Sequence, residues 1–379
     1  MDKKTLGLYI HIPFCIRKCL YCDFPSYGGM EEYWDSYTAA LTDELILRSE
    51  EFKGYTIKTV FIGGGTPSLL PTQHIDKILN VVYSHYSVLK GCESTIESNP
   101  GTLSPDKLKT YASLGINRLS MGLQASQDEI LKRLGRIHTY KDFELAVNLA
   151  HDAGFVNINA DIIFGIPDQT LEEWDETLSR LLSFDLTHIS CYSLIIEEGT
   201  PFYRMREEGS LKPADDDLDR IMYNHALNRF ADAGFVQYEI SNFSKPHYQC
   251  QHNMNYWERG EYIGAGAGAH SFFRNRRYAN TPDVLKYMEG MKNKSPVLEE
   301  DSYIAADEAL AERMILGLRL SKGVNLKEVS SQFGVDVKLK YRKSLEDLLN
   351  KELIEMENGF VKLTRKGMDL ANIVFGEFI

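Results

Sequence analysis

The sequence predicts an α/β protein: a partial (β/α)6 TIM-like barrel followed by a C-terminal winged-helix-like α+β module. Three observations support this. Short apolar runs alternate with longer amphipathic stretches through the first two-thirds of the 379 residues, the pattern of parallel βαβ units with right-handed crossovers. The least periodic motifs fall at the C-terminal ends of the predicted strands, where such barrels keep their reactive groups. Beyond residue 300 the pattern changes to helices followed by a hairpin signal at Asn358-Gly359.

The strands are expected at Leu8–Ile12, Thr59–Ile62, Ser94–Glu97, Arg118–Gly122, Asn157–Phe164 and His188–Leu194, from apolar and β-branched content between turn signals. Apolar residues at helical spacing predict helices over Tyr33–Glu50, Gln73–His85, Ser104–Leu114, Lys141–Ala153 and Leu171–Ser183. Six repeats fall short of the eight of a closed barrel, so the sheet should stay open. A helix over Lys212–Ala233 precedes an aromatic, His-rich loop with Tyr238, His247, Cys250, His252 and Trp257. The tail should hold helices at Ala306–Leu318, Leu326–Phe333 and Val337–Asn350, then strands Leu353–Met356 and Phe360–Leu363. The expected divisions are a barrel over 1–235, a separate segment over 236–300 and the winged-helix-like domain over 301–379.

Lys and Arg total 42 against 54 Asp and Glu, a net charge of −12. That excludes the basic footprint of a general nucleic-acid binder. Residues 301–379 are near neutral at −1, so the first 300 residues carry −11. The tail is therefore expected to pack or dock, not to bind DNA. No apolar run approaches the roughly 18 residues of a membrane span, and Met1-Asp2-Lys3-Lys4 begins no signal peptide. A cytoplasmic protein is expected.

Three of the six cysteines, Cys15, Cys19 and Cys22, stand within eight residues after the first strand. In a reducing compartment such bunching points to a metal or redox role. Structural zinc wants a fourth ligand, and the nearby His11 faces away from Ile10 and Ile12 in the strand. A [4Fe–4S] cluster on three cysteines instead leaves one iron with an open position, as catalysis at a metal requires. Gly63-Gly64-Gly65-Thr66-Pro67 follows the second strand and suits close backbone approach to a ligand; the bland alternative is a tight βα turn. It is neither a Walker nor a Rossmann motif. The later Gly264/Gly266/Gly268 run reads as close backbone packing. Cys92 and Cys191 read as small buried hydrophobes.

The run Tyr9-Ile10-His11-Ile12-Pro13-Phe14-Cys15-Ile16-Arg17-Lys18-Cys19-Leu20-Tyr21-Cys22 resembles the radical S-adenosylmethionine superfamily. The likeness covers essentially the whole chain. It extends to the glycine motif, Glu97, Ser120-Met121-Gly122 and His252-Asn253-Met254-Asn255-Tyr256-Trp257. It implies a barrel of the radical S-adenosylmethionine type, with Cys15, Cys19 and Cys22 ligating the cluster. S-adenosylmethionine would chelate the open iron, and its reductive cleavage would give a 5′-deoxyadenosyl radical. By position, the cofactor contacts implied are Tyr9, Tyr21, Gly64, Gly65, Thr66, Glu97, Gln124, Arg136 and Asp161. Glu97 and Asp161 suit ribose hydroxyls or the sulfonium charge, and Arg136 the carboxylate; singly, Glu97 or Arg136 would pass for a surface ion-pair partner.

Within the superfamily the chain resembles the branch of oxygen-independent coproporphyrinogen III oxidase and the heme chaperones. Phe24 stands where the oxidase pattern has a fourth cysteine. Only eight residues precede Tyr9, so the oxidases' N-terminal extension is missing. Both departures point to a heme chaperone that binds heme and delivers it to an acceptor protein, soluble or membrane-bound; oxidative decarboxylation of coproporphyrinogen III is the alternative. His252 to Trp257 matches that branch's HNxxYW signature. His252 is the candidate heme ligand, with Tyr256 and Trp257 as apolar faces for the macrocycle. Against it stands a purely structural His252, and His270 and Cys250 are rival ligands. A homodimer is carried as a candidate assembly.

Overall fold

A computed structural model describes residues 4–379, and the expectation drawn from Met1-Asp2-Lys3 falls outside the described residues. Six strands alternate with helices: β1 (Lys4–Ile12), β2 (Tyr55–Gly64), β3 (Ser87–Ser98), β4 (Arg118–Gln124), β5 (Asn157–Phe164) and β6 (His188–Ser193). Neighbours pair in parallel in sequence order. Helices Trp34–Ser49, Thr72–His85, Pro105–Ser113, Tyr140–Asp152 and Leu171–Leu181 fill the crossovers. Two of these start at a capping box, Thr139 with Asp142 and Thr170 with Glu173, which satisfies first-turn N–H groups that otherwise lack partners.

The sheet does not close. Beyond β6 it continues antiparallel through Asn242–Ser244 to an edge at Val236–Glu239. Beyond β1 it gains β7 (Tyr262–Ala265), a seventh parallel strand, then antiparallel strands β8 (His270–Phe273), β9 (Arg276–Asn280) and β10 (Leu298–Tyr303). The partial barrel thus forms the centre of a twelve-stranded sheet. The glycine run in β7 and after it packs backbone on backbone: a side chain at Gly264 would collide with the His270 carbonyl, and Gly266 sits at φ 105° against His11 and Tyr37.

The helix-facing side of the barrel strands and the helices share one core, which holds Leu8, Ile10, Ile62, Leu119, Ile162 and the fully buried Trp174. The indole N–H of Trp174 donates to the Met222 carbonyl at 2.9 Å. Leu318, Val329, Leu345 and Val361 build a separate core in the tail. There, helices Ala306–Leu318, Leu326–Phe333 and Arg342–Asn350 surround the hairpin Ile354–Glu357/Phe360–Leu363, which the short strand Val324–Asn325 joins. The tail docks on the body through ion pairs, Arg259 to Glu312 at 2.9 Å and Lys322 to Glu258 at 2.6 Å.

Two departures from the sequence expectation lie in the tail and beside the site. The helix expected over Val337–Asn350 breaks at Tyr341 into Val337–Lys340 and Arg342–Asn350. The aromatic segment expected to be a loop contains a helix, Gln251–Trp257. Its cap comes from far away in sequence: the Glu93 carboxylate accepts from the N–H groups of Gln251 and His252, each at 3.0 Å. No local signal announces such a cap.

Candidate functional site

The site begins where β1 ends. Cys15, Cys19 and Cys22 are free thiols, each partly exposed, on a loop clamped at several points. Leu20 donates its N–H to the Leu134 carbonyl and accepts from Phe202 N–H, both at 3.0 Å, and the Arg17 guanidinium donates to the Gly135 carbonyl at 3.0 Å. Phe14–Cys15 pairs in parallel with Tyr27–Gly28, closing the loop on itself. These contacts tie the loop to the barrel at several points.

Donors point at two of the sulfurs. Thr66 Oγ1 approaches Cys15 Sγ at 3.6 Å, and Arg136 Nη1 approaches Cys19 Sγ at 3.6 Å. Hydroxyl and guanidinium donors suit thiolate ligands, whose negative charge they offset. Burial pushes the Cys15 and Cys22 thiols up from their ordinary range, so bound iron would have to displace their protons. Among the described residues no three His, Cys, Asp or Glu side chains converge on one metal ion. A four-iron cluster asks for less, since each cysteine serves a different iron. His11 is no ligand as placed: Nδ1 meets Tyr9 Oη and Nε2 meets the Pro25 carbonyl, each at 2.9 Å.

The glycine loop after β2 lies directly on the cysteine loop. Gly65 N–H donates to Ile12 O and Thr66 N–H to Phe14 O, both at 2.8 Å. A Cβ on Gly65 would stand 2.6 Å from the Phe14 carbonyl oxygen, and one on Gly64, at φ 113°, would strike the His11 ring. Only glycine permits this approach. From β3, Glu97 Oε2 accepts the Gly64 N–H at 2.9 Å. Burial, then the nearby Asp161, pushes the Glu97 carboxyl up to about 7.

The adjacent strands complete the wall. Asp161 on β5 accepts from Asn159 Nδ2 at 2.8 Å and Ser120 Oγ at 3.2 Å, and burial raises its carboxyl above the usual range. Asn159 in turn meets His188 Nδ1 at 2.6 Å, and His188 Nε2 meets Tyr238 Oη at 2.8 Å. Gln124 stands at a break in the β4–β5 register with φ 69°, a left-handed backbone outside glycine's preserve. Arg136 donates to the Gly122 carbonyl at 2.8 Å, and Tyr21 lies beside Arg136 and Cys19. Tyr21, Gly64, Gly65, Thr66, Glu97, Gln124, Arg136 and Asp161 thus line the strand ends around the cysteine loop. The supporting residues Asn159, His188 and Arg118 went unnoticed in the sequence. Arg118, the only charged residue of β4, is 2% exposed, and that lone charge in an apolar strand was the available signal.

Tyr9 of β1 and His252, their rings 6.5 Å apart, form a second flank over β1 and β2. The His252 ring stacks on Phe61 at 5.1 Å and sits over Gly7, whose missing side chain makes the room. Nδ1 meets Thr59 Oγ1 and Nε2 meets Tyr256 Oη, each at 2.8 Å. The residue is 1% exposed, and burial lowers the imidazole to about 3. As placed, His252 is a neutral bridge with no free nitrogen. Cys250 is fully buried, its thiol facing Glu93.

Next to this flank opens a cleft of about 460 Å³. Its lining includes Tyr9, Phe24, Tyr256, Trp257, His270, Phe272 and Leu316. Phe24 is 61% exposed.

The sequence model of the radical SAM superfamily matches residues 9–181, and that of the HemN C-terminal domain matches residues 304–370. The chain is 36% identical to the heme chaperone HemW of Bacillus subtilis over 375 residues, covering 98% of both chains. It is 33% identical to HemW of Lactococcus lactis over 379 residues, covering 100% of this chain and 98% of that one. With HemW of Escherichia coli the identity is 42% over 268 residues, 70% of this chain and 69% of the other. Among solved structures, coproporphyrinogen III oxidase (HemN) of Escherichia coli superposes with a TM-score of 0.88 at 21% identity, covering 99% of this chain and 90% of that one. That likeness shows the fold.

Proposed function

Because the chain belongs to the HemW family of radical SAM proteins, we propose that it is a heme chaperone carrying a [4Fe–4S] cluster and S-adenosylmethionine, which binds heme and hands it to an acceptor protein. We place its work in the cytoplasm, with soluble or membrane-bound acceptors; among the described residues no helix is long and apolar enough to cross a membrane.

The observation that carries the cofactor reading is the cysteine loop, with three free thiols and hydroxyl and guanidinium donors already turned toward two of them. Cys15, Cys19 and Cys22 would hold the cluster, which supplies an iron with an open coordination position and one-electron chemistry. The surrounding residues do the rest. Gly64 and Gly65 let backbone approach the S-adenosylmethionine. Arg136, held by the Gly122 carbonyl, meets a carboxylate. Glu97 and Asp161 accept from ribose hydroxyls or face the sulfonium. Gln124 and Tyr21 close the sides, and Thr66 steadies Cys15.

The chaperone reading over the oxidase reading rests on Phe24. A fourth thiol in the oxidase pattern is here an exposed aromatic ring that walls an apolar cleft. The test is one anaerobic preparation of reconstituted protein. A Soret band on adding heme, with no protoporphyrinogen made from coproporphyrinogen under reducing conditions, is the expected result. Sustained turnover without heme binding would replace the chaperone by the oxidase.

A further inference from the structure

Resting on the chaperone reading, we propose that heme docks in the 460 Å³ cleft with His270 as its iron ligand, Glu300 behind the imidazole and Arg277 at the propionates.

The volume falls within the range of ligand pockets, and the cleft lies where the sheet extension, the Gln251–Trp257 helix and the tail meet, a common setting for such sites. The aromatic side chains Trp257 and Phe272 line it, which suits a flat apolar macrocycle. Iron needs a donor atom that is free. His252 and His11 have both ring nitrogens engaged and are 1% and 2% exposed. Cys250 is buried away from the cleft, and the hydroxyls of Tyr9 and Tyr256 are partners of those two histidines. His270 differs: its side chain is 54% exposed and, among the described residues, makes no hydrogen bond within the protein.

The register explains what stands behind it. His270 opens β8 opposite Ala279 of β9, and Ala279 is opposite Glu300 of β10. The three share one face of the sheet, and the small Ala279 lets Glu300 Oε2 come within 3.9 Å of His270 Nδ1. A carboxylate at one ring nitrogen orients a histidine and raises the basicity of the other. Two guanidiniums also line the cleft. Arg277 pairs with Glu312 at 2.8 Å yet keeps about a third of its side chain exposed. Arg259 is 6% exposed, with Nη2 buried and lacking a partner among the described residues. Two cations against one carboxylate leave positive charge for the propionates.

The experiment titrates hemin into the full-length, cluster-loaded protein and its variants. His270→Ala should move the Soret maximum and weaken heme binding at least tenfold, with iron and sulfide content unchanged, and added imidazole should restore the parent spectrum. Arg277→Ala should weaken binding severalfold without moving the Soret maximum. Glu300→Gln, on an exposed carboxylate, should leave the fold intact and lower the iron–histidine stretching frequency of the ferrous complex in resonance Raman spectra. An unchanged Soret band and affinity in His270→Ala, or a parent complex lacking an iron–histidine stretch, overturns the proposal while leaving the chaperone reading intact. A parent protein that binds no heme overturns the chaperone reading itself.

Discussion

The role proposed for Glu97 predicts that S-adenosylmethionine binding depends on pH. Its carboxyl is pushed up to about 7, first by burial and then by Asp161, while the Gly64 N–H and Arg118 work the other way. A ligand that brings a sulfonium charge and ribose hydroxyls favours the carboxylate, so binding lowers the carboxyl's pKa and releases a proton. Affinity therefore rises with pH across this window. At pH 6 about a tenth of the free protein holds Glu97 ionised, and at pH 8 about nine-tenths, a difference of roughly tenfold in affinity or 1.4 kcal/mol. Isothermal titration calorimetry on anaerobic, cluster-loaded protein in buffers of different ionisation heat reads both the affinity and the proton release. The amino group of S-adenosylmethionine titrates as well, and Glu97→Gln separates the two. Glutamine keeps an oxygen for the Gly64 N–H, and the variant should bind roughly tenfold or more weakly at pH 8. Its pH slope should be shallower by about one tenfold step between pH 6 and 8. A slope identical in parent and variant would refute the role given to Glu97.

Cys19→Ala, reconstituted without oxygen, should lose iron, sulfide and the broad thiolate-to-iron absorbance near roughly 400 nm; full cluster content would remove Cys19 from the ligand set. Gly65→Ala places a Cβ 2.6 Å from the Phe14 carbonyl and 2.9 Å from its nitrogen, both backbone atoms that cannot swing aside. It should destabilise by about 1–3 kcal/mol in denaturant unfolding and reduce cluster incorporation. His252→Ala removes a buried ring bonded at both nitrogens and strands Thr59 and Tyr256. It should lose about 2–4 kcal/mol of stability without moving the Soret band, whereas a moved band with unchanged stability would favour iron ligation by His252.

Much of the fold is legible because barrel strands are short, apolar and punctuated. Asn157–Phe164 is bounded in the sequence as in the structure, and Ala306–Leu318 and Leu326–Phe333 likewise. Strand starts are less legible: β1 and β2 each begin four residues before the apolar run, at Lys4 and Tyr55, because the core residues Leu6 and Ile57 at their paired starts are isolated among Thr5, Gly7, Thr56 and Lys58. The helix at Gln251–Trp257 is hidden, since its cap is the side chain of Glu93. The strand-end rule gathers Cys15, Gly64, Glu97, Gln124 and Asp161 from the sequence alone, for their positions follow from topology. His252 shows the limit. A histidine in an aromatic segment suggests a ligand equally well whether its nitrogens are free or taken, and only packing reveals that Thr59 and Tyr256 occupy both. His270, Glu300 and Arg277 come together through antiparallel register, beyond the reach of local pattern.

The central claim is that this barrel holds heme as cargo beside a three-cysteine cluster. One anaerobic, cluster-loaded preparation, titrated with hemin and then offered coproporphyrinogen III with S-adenosylmethionine and a reductant, tests it most directly. The account predicts a saturable Soret band at about one heme per chain and no protoporphyrinogen. Protoporphyrinogen formed over many turnovers, with no saturable heme binding, would contradict it.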